Sequence, residues 1–210
     1  MSNLVSANRL SRRPLRPVNV YWRSACILPR LAFAALFVLL GPGLPRTQST
    51  TLARMDLREL ALRASYVARV RCVNASSAAG AGLVWTETTF EVTEAWKGDP
   101  PAKFSVRLPG GDAAGLRVRV EGAPRFAVGE QAVLFLGIGK GGQMNIVSWA
   151  QGTFRIGRDP RFGAEEATQD TAGLLVLDPR SGQWSQGQRR RIPLPQLRAR
   201  VARAIAESAR

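Results

Sequence analysis

The hydrophobic positions change period several times along the chain, and each change predicts an element. Leu57, Leu60, Ala61 and Ala64 recur at helical intervals, and Asp56 followed by Glu59 has capping-box spacing. A short amphipathic helix is expected there. From Tyr66 the period drops to two: Tyr66, Ala68, Val70 and Cys72 share one face, and Arg69 and Arg71 share the other. After an Ala/Ser/Gly turn, Val84, Thr86, Thr88, Phe90 and Val92 alternate with Glu87, Thr89, Glu91 and Thr93. This is a β-hairpin with one wet face, and its register would set Arg69 and Arg71 beside Glu87 and Glu91.

Beyond the turn Lys97-Gly98-Asp99-Pro100-Pro101, the residues Phe104, Val106 and Leu108 define a further strand, and Leu116, Val118 and Val120 another. Ala132 to Leu136 is continuously apolar, as expected of a strand buried on both faces, and marks the centre of the core. Met144 to Val147, Gly152 to Ile156 and Leu174 to Leu177 read as strands, with Gly157 to Asp170 a polar excursion between the last two. Pro195 followed by Leu197, Val201, Ala204 and Ile205 predicts a closing helix, with Arg198, Arg200 and Arg203 on its solvated face. The resulting fold class is mainly β: an OB-like barrel or a β-sandwich of about seven or eight antiparallel strands, with a short N-terminal helix and a C-terminal helix.

The first part of the chain has a different character. Leu31 to Leu40 is an uncharged apolar run preceded by Arg23 and Arg30 and followed by Gly41-Pro42-Gly43. It is too short to cross a bilayer comfortably and has the form of a signal-peptide apolar region. Small residues at Thr47 and Ser49 place cleavage after Ser49, so the mature chain would begin near Thr50; retention as an uncleaved anchor is the alternative. Ser11-Arg12-Arg13 has the look of a twin-arginine signal but stands far ahead of the apolar run, and Cys26 precedes that run where a lipobox cysteine would follow it. The domain plan is a leader over 1–49, a β-domain over 50–180, a basic polar linker over 181–192 and a helix over 193–210. Export implies a periplasmic, envelope or extracellular location.

Charge changes the picture less than its size suggests. The net charge of +15 divides into +7 over residues 1–46, +3 over 51–150 and +5 over 151–210. Nearly half therefore lies in the leader. The basic residues are 27 Arg and three Lys, a skew that biased codon usage explains, and no clustered basic face with aromatic stacking is visible to suggest nucleic acid.

Candidate chemistry is narrowed by one fact. The 210 residues contain no histidine, which excludes Ser-His-Asp and Cys-His catalysis and every His-containing zinc site. Cys72 is the single cysteine after the leader and reads as a small core hydrophobe. Glu87, Glu91 and Asp112 are the carboxylates that an acid/base hydrolase would have to use. Pro109-Gly110-Gly111-Asp112 and Gly139-Lys140-Gly141-Gly142 lack the Gly-Lys-Ser/Thr ending of a phosphate loop and read as turns needing positive φ. Arg189, Arg190 and Arg191 form the densest charge cluster outside the leader and read as a mobile basic strap for an anionic surface.

The segments Ala64-Ser65-Tyr66-Val67-Ala68-Arg69-Val70, Phe90-Glu91-Val92, Ala95-Trp96-Lys97-Gly98, Gly129-Glu130 and Val133-Leu134-Phe135-Leu136, in that order, resemble exported bacterial β-domains of unassigned function. More distantly they are similar to the OB-like barrels of netrin-type and tissue-metalloproteinase-inhibitor modules. Those inhibitors reach the protease metal through an amino-terminal cysteine, which this chain lacks after its leader, so their mechanism is not implied. The expected function is a non-catalytic exported domain, without cofactor, that binds a protein or envelope component; a carboxylate-dependent hydrolase and a structural envelope protein bearing the basic strap on an anionic membrane surface are the rivals.

Overall fold

The computed structural model describes residues 51–208 except Ala81. The leader, with its apolar run, cleavage site and Cys26, lies outside the described residues. Along the rest run β1 (Thr51–Ala53), α1 (Leu57–Arg63), β2 (Tyr66–Gly80), β3 (Leu83–Lys97), β4 (Lys103–Pro109), β5 (Gly111–Ala113) and β6 (Leu116–Val118). They are followed by β7 (Gln131–Ile138), β8 (Met144–Ile146), β9 (Thr153–Arg158), β10 (Glu165–Asp170), β11 (Leu175–Leu177), β12 (Trp184–Gln186), β13 (Arg189–Pro193) and α2 (Leu194–Ser208).

One antiparallel sheet carries the fold in the order β13-β10-β9-β7-β2-β3-β4, with β8 also paired to β7. Its centre is the apolar run of the sequence: Ala132 to Leu136 are all buried. Strand alternation sends Val133 and Phe135 to one face, where they meet Leu60, Phe154, Ala167, Leu197 and Val201 beneath the two helices. Ala132, Leu134 and Leu136 go to the other face and pack with Val70, Cys72, Phe90, Phe104, Val106 and Phe126. Phe90 anchors this second layer, edge-on to Phe126 at 4.9 Å and tilted against Phe104 at 5.6 Å. Register shifts between β2 and β3 at Val67/Ala68, Arg69/Val70 and Cys72/Asn74 strengthen the local twist, so the β3–β4 flank curls over this layer.

The sheet does not close. β4 and β13 remain separate edges, which corrects the expectation of a barrel. The small sheet β1-β11-β12 departs from the all-antiparallel expectation too, because β1 and β11 run parallel.

The helices form as their sequences require. Asp56 accepts a 2.7 Å hydrogen bond from the Glu59 N–H and caps α1, while Glu59 turns to Arg63 rather than closing a reciprocal box. Lys97 closes the other end, its ammonium donating to the carbonyls of Ala61 at 2.7 Å and Ala64 at 2.5 Å. In α2, Leu197, Val201 and Ala204 face the sheet, as the helical spacing predicts.

Three segments depart from the sequence expectations. Residues 157–170 are not an excursion but include the β9–β10 hairpin. Only Ala167 of Glu165–Asp170 is buried, so the strand carries almost no apolar period and is held by backbone pairing to neighbours on both sides. Residues 181–192 are not a free linker, because Trp184–Gln186 pairs with β11 and Arg189–Pro193 with β10. The β-domain therefore continues past residue 180 into β13 and α2. Finally, the strand expected at Leu116 forms over Leu116–Val118, but as half of a surface hairpin with Gly111–Ala113 in which Leu116 is 59% exposed.

Candidate basic groove

The structure separates the arginine triplet. In β13, Ile192 lies opposite the buried Ala167, which faces the helices, so Arg190, two residues away and opposite Gln169, belongs to the helix face. Arg189 starts from the other face and closes a 2.6 Å ion pair with Asp170. The expected mobile strap is thus an edge strand with its arginines divided between two environments. Three arginines and a proline on an open sheet edge also discourage edge-to-edge pairing.

On the helix side lies a groove of about 340 Å³ between the start of α1, the β13 edge and α2. Met55, Leu57 and Ile192 line it half-exposed, over the buried Leu60, Phe154 and Leu197. Arg190 and Arg200 stand beside it, and Arg191, which alternation places on the Arg189 face of β13, borders it at the strand edge. None of the three makes an ion pair among the described residues. The single carboxylate of the lining, Asp56, accepts from the Glu59 N–H as the cap of α1. A smaller hollow of about 170 Å³ adjoins through Met55, Asp56, Gln169 and Arg190, which line both, and adds Arg54. Guanidinium forks beside an apolar floor can hold a carboxylate or phosphate bidentately while the floor covers attached apolar atoms.

The cleft on the opposite face has four arginines, one more than the groove, but a different electrostatic state. Arg119, Arg125, Arg155 and Arg189 line about 380 Å³ there, and each is committed. Arg119 is near Glu121 at 3.9 Å, Arg125 bonds Asp112 at 3.0 Å, Arg155 pairs with Glu130, and Arg189 pairs with Asp170. Arg155 also donates to the Arg125 carbonyl at 2.6 Å and lies 5.1 Å over the Phe126 ring. Its burial pushes the guanidinium pKa down. An anion entering this cleft must displace internal carboxylates, whereas the groove by α2 asks for no exchange.

Two other carboxylates owe their ionisation to such pairs. Hydrogen bonds from Arg69 hold Glu165 below its ordinary pKa. For Asp170 partial burial pulls upward, but the Arg189 hydrogen bond, the Ala172 N–H and the nearby Arg charges carry it below its ordinary value. A carboxylate depressed in the folded state contributes stability that is complete above the unfolded pKa and is lost as pH falls through the folded one. Thermal unfolding is therefore expected to move to lower temperature as pH drops below about 4, and a Glu165→Gln/Asp170→Asn variant should show a flatter acid limb. An acid limb identical to that of the unaltered protein would refute this assignment.

The remaining sequence candidates do not assemble. Glu87 and Glu91 are exposed on β3, opposite Arg107 and Lys103 on one side and Ser76 and Arg71 on the other. Arg69 does not join them, since the register shifts set it opposite Glu94 and its side chain bonds Glu165 and Gln131. Asp112 lies on the β5–β6 hairpin between Arg117 and Arg125, whose hydrogen bonds, Arg117 foremost, lower its pKa. Gly110, Gly111, Gly141 and Gly142 all adopt positive φ, so both glycine loops have a conformational explanation. Cys72 is buried, donates weakly to the Asn74 carbonyl at 3.6 Å and has its thiol pKa raised by burial. No group of metal-ligating side chains gathers among the described residues.

Arg190 and Arg191 belong to the triplet that the sequence singles out, whereas Arg200 reads there as part of a solvated helix face. Its signal is its place three residues after the inward Leu197, on the helix flank that faces the β13 edge. No family model, curated protein or solved structure gives a significant match to this chain.

Proposed function

We propose that the chain is an exported, non-catalytic binding domain whose groove between α1, β13 and α2 holds an anionic partner, either a protein or a component of the cell envelope. The observation that carries this reading is the convergence of Arg190, Arg191 and Arg200, without ion-pair partners, on an apolar floor. Nine other arginines of the described residues are ion-paired, and of those that are not, Arg190, Arg191 and Arg200 line one groove, so an incoming anion gains there without displacing a carboxylate. An anionic membrane surface offers the same chemistry. Nucleic acid fits less well, because the aromatic ring of the groove, Phe154, is buried and offers no stacking face. The hydrolase reading is disfavoured because Asp112 is held in ion pairs with Arg117 and Arg125, while Glu87 and Glu91 stand exposed on β3 opposite Arg107 and Lys103. The resemblance to exported β-domains belongs to this proposal; the OB-like comparison is not extended to a chain whose sheet keeps two free edges.

Retention of the mature domain on a sulfated dextran column at low salt tests the reading. The variant Arg190→Gln/Arg191→Gln/Arg200→Gln is expected to lose on the order of 100-fold in affinity, about 1 kcal/mol for each cation. The variant Arg158→Gln/Arg161→Gln/Arg180→Gln, of equal net charge, should lose far less, and added salt should abolish the difference. Equal losses in both variants would show that only net charge matters. Export rests on the apolar run Leu31 to Leu40 and its arginine flank. Amino-terminal sequencing of envelope-fraction protein is expected to begin near Thr50, and an intact cytosolic Met1 form would refute it.

A further inference from the structure

The groove pairs two kinds of surface in a way a bare anion does not need. At its edge stand the guanidinium groups of Arg190, Arg191 and Arg200, which make no ion pair among the described residues; along its floor Met55, Leu57 and Ile192 are only partly buried against the core. A soluble polyanion would use the arginines and leave those side chains wet. We infer that the ligand of this groove is a single-chain anionic amphiphile, its carboxylate or phosphate head held by the arginines and its hydrocarbon tail laid along Met55, Leu57 and Ile192. This rests on the anion-binding reading above and adds the chain.

Size and shape favour one tail over two. The groove holds about 340 Å³, at the small end of ligand sites, which span roughly 300–1,000 Å³. The adjoining hollow beside Arg54, Gln186 and Gln188 is narrower and polar, so it extends the head end rather than the tail end. Leu57 opens α1 and Ile192 lies in β13, so a helix and a strand fix the two sides of the floor. A head on either a free fatty acid or a single-chain lipid phosphate would satisfy the arginines alike.

Calorimetric titration of the mature domain with dodecanoate, dodecyl phosphate and butanoate, all below micelle-forming concentrations, tests the inference. Both long-chain anions are expected to bind at one site, with butanoate weaker by on the order of tenfold or more because its tail leaves the floor uncovered. Neutral dodecyl maltoside should likewise bind weakly. Met55→Ser/Leu57→Ser should weaken dodecanoate far more than butanoate, and Arg190→Gln/Arg191→Gln/Arg200→Gln should weaken both; melting curves check that each variant is folded. Equal affinity for butanoate and dodecanoate, or no effect of the floor substitutions, overturns the amphiphile assignment and leaves the anion reading standing. Loss of arginine dependence for every probe would remove both. Preference for dodecyl phosphate over dodecanoate would assign the head to phosphate, and the reverse to carboxylate.

Discussion

Phe135→Ala is expected to destabilise the domain by about 3–5 kcal/mol, the range for a large aromatic deleted from a core that cannot collapse into the space. Phe135 is fully buried in the central strand and lies 5.5 Å from the tilted ring of Phe154. Its backbone is pinned as well, accepting from the Val147 N–H at 2.9 Å and donating to the Gly152 carbonyl at 3.0 Å. Strand β7 therefore cannot move inward to fill the hole, since Leu134 and Leu136 hold it to the layer on the other face. Leu83→Ala is the comparison: Leu83 is 57% exposed at the tip of the β2–β3 hairpin, and its loss should stay within about 0.5 kcal/mol. Urea unfolding of both variants, with unchanged denaturant slope, measures the difference. A cost below about 1 kcal/mol for Phe135→Ala would mean that β7 is not the packed centre.

Gly111→Ala is expected to cost about 2–4 kcal/mol, combining an unfavourable backbone with a collision. Gly111 has a φ of 143°, and a β-carbon there would strike the hydroxyls of Ser77 and Thr86. Those hydroxyls cannot simply rotate away, because they lie 2.8 Å from each other and Thr86 also donates to the Gly110 carbonyl at 2.7 Å. Gly115, at the tip of the same hairpin, has a φ of 74° with open space around it. Gly115→Ala should thus show only the backbone cost of about 1–2 kcal/mol. The difference between the two melting curves isolates the collision, and equal destabilisation would show that the Ser77–Thr86 pair yields freely. The glycines of Pro109-Gly110-Gly111-Asp112 then answer to local geometry rather than to a phosphate.

The elements legible in the chain were those in which one face is apolar and the other is not. Phe104, Val106 and Leu108 alternate with Lys103, Ser105 and Arg107, and the strand forms there with those residues buried. Leu197, Val201 and Ala204 mark the buried side of α2 in the same manner. Strand β10 was illegible because Glu-Glu-Ala-Thr-Gln-Asp contains one apolar residue, and β13 because Arg-Arg-Arg-Ile-Pro also contains one. Side-chain period reports burial, and a strand held mainly by backbone hydrogen bonds near a sheet edge need not bury much.

Local sequence therefore settles a mainly β architecture with a helix near each end of the described residues, a central strand at Ala132 to Leu136 and a buried Cys72, because each depends on the alternation of a few neighbouring residues. Whether the sheet closes depends on the register shifts between β2 and β3 and on what pairs with β13, and these are contests between distant segments. The groove is of the same kind. Arg190 is adjacent to Arg189 in sequence, but strand alternation sets Arg189 on the other face, where Asp170 pairs with it, and Met55 and Leu57 come from the start of α1 while Arg200 comes from α2. Arginines are alike in a sequence; which of them stay without a partner is decided by where the folded chain leaves its carboxylates.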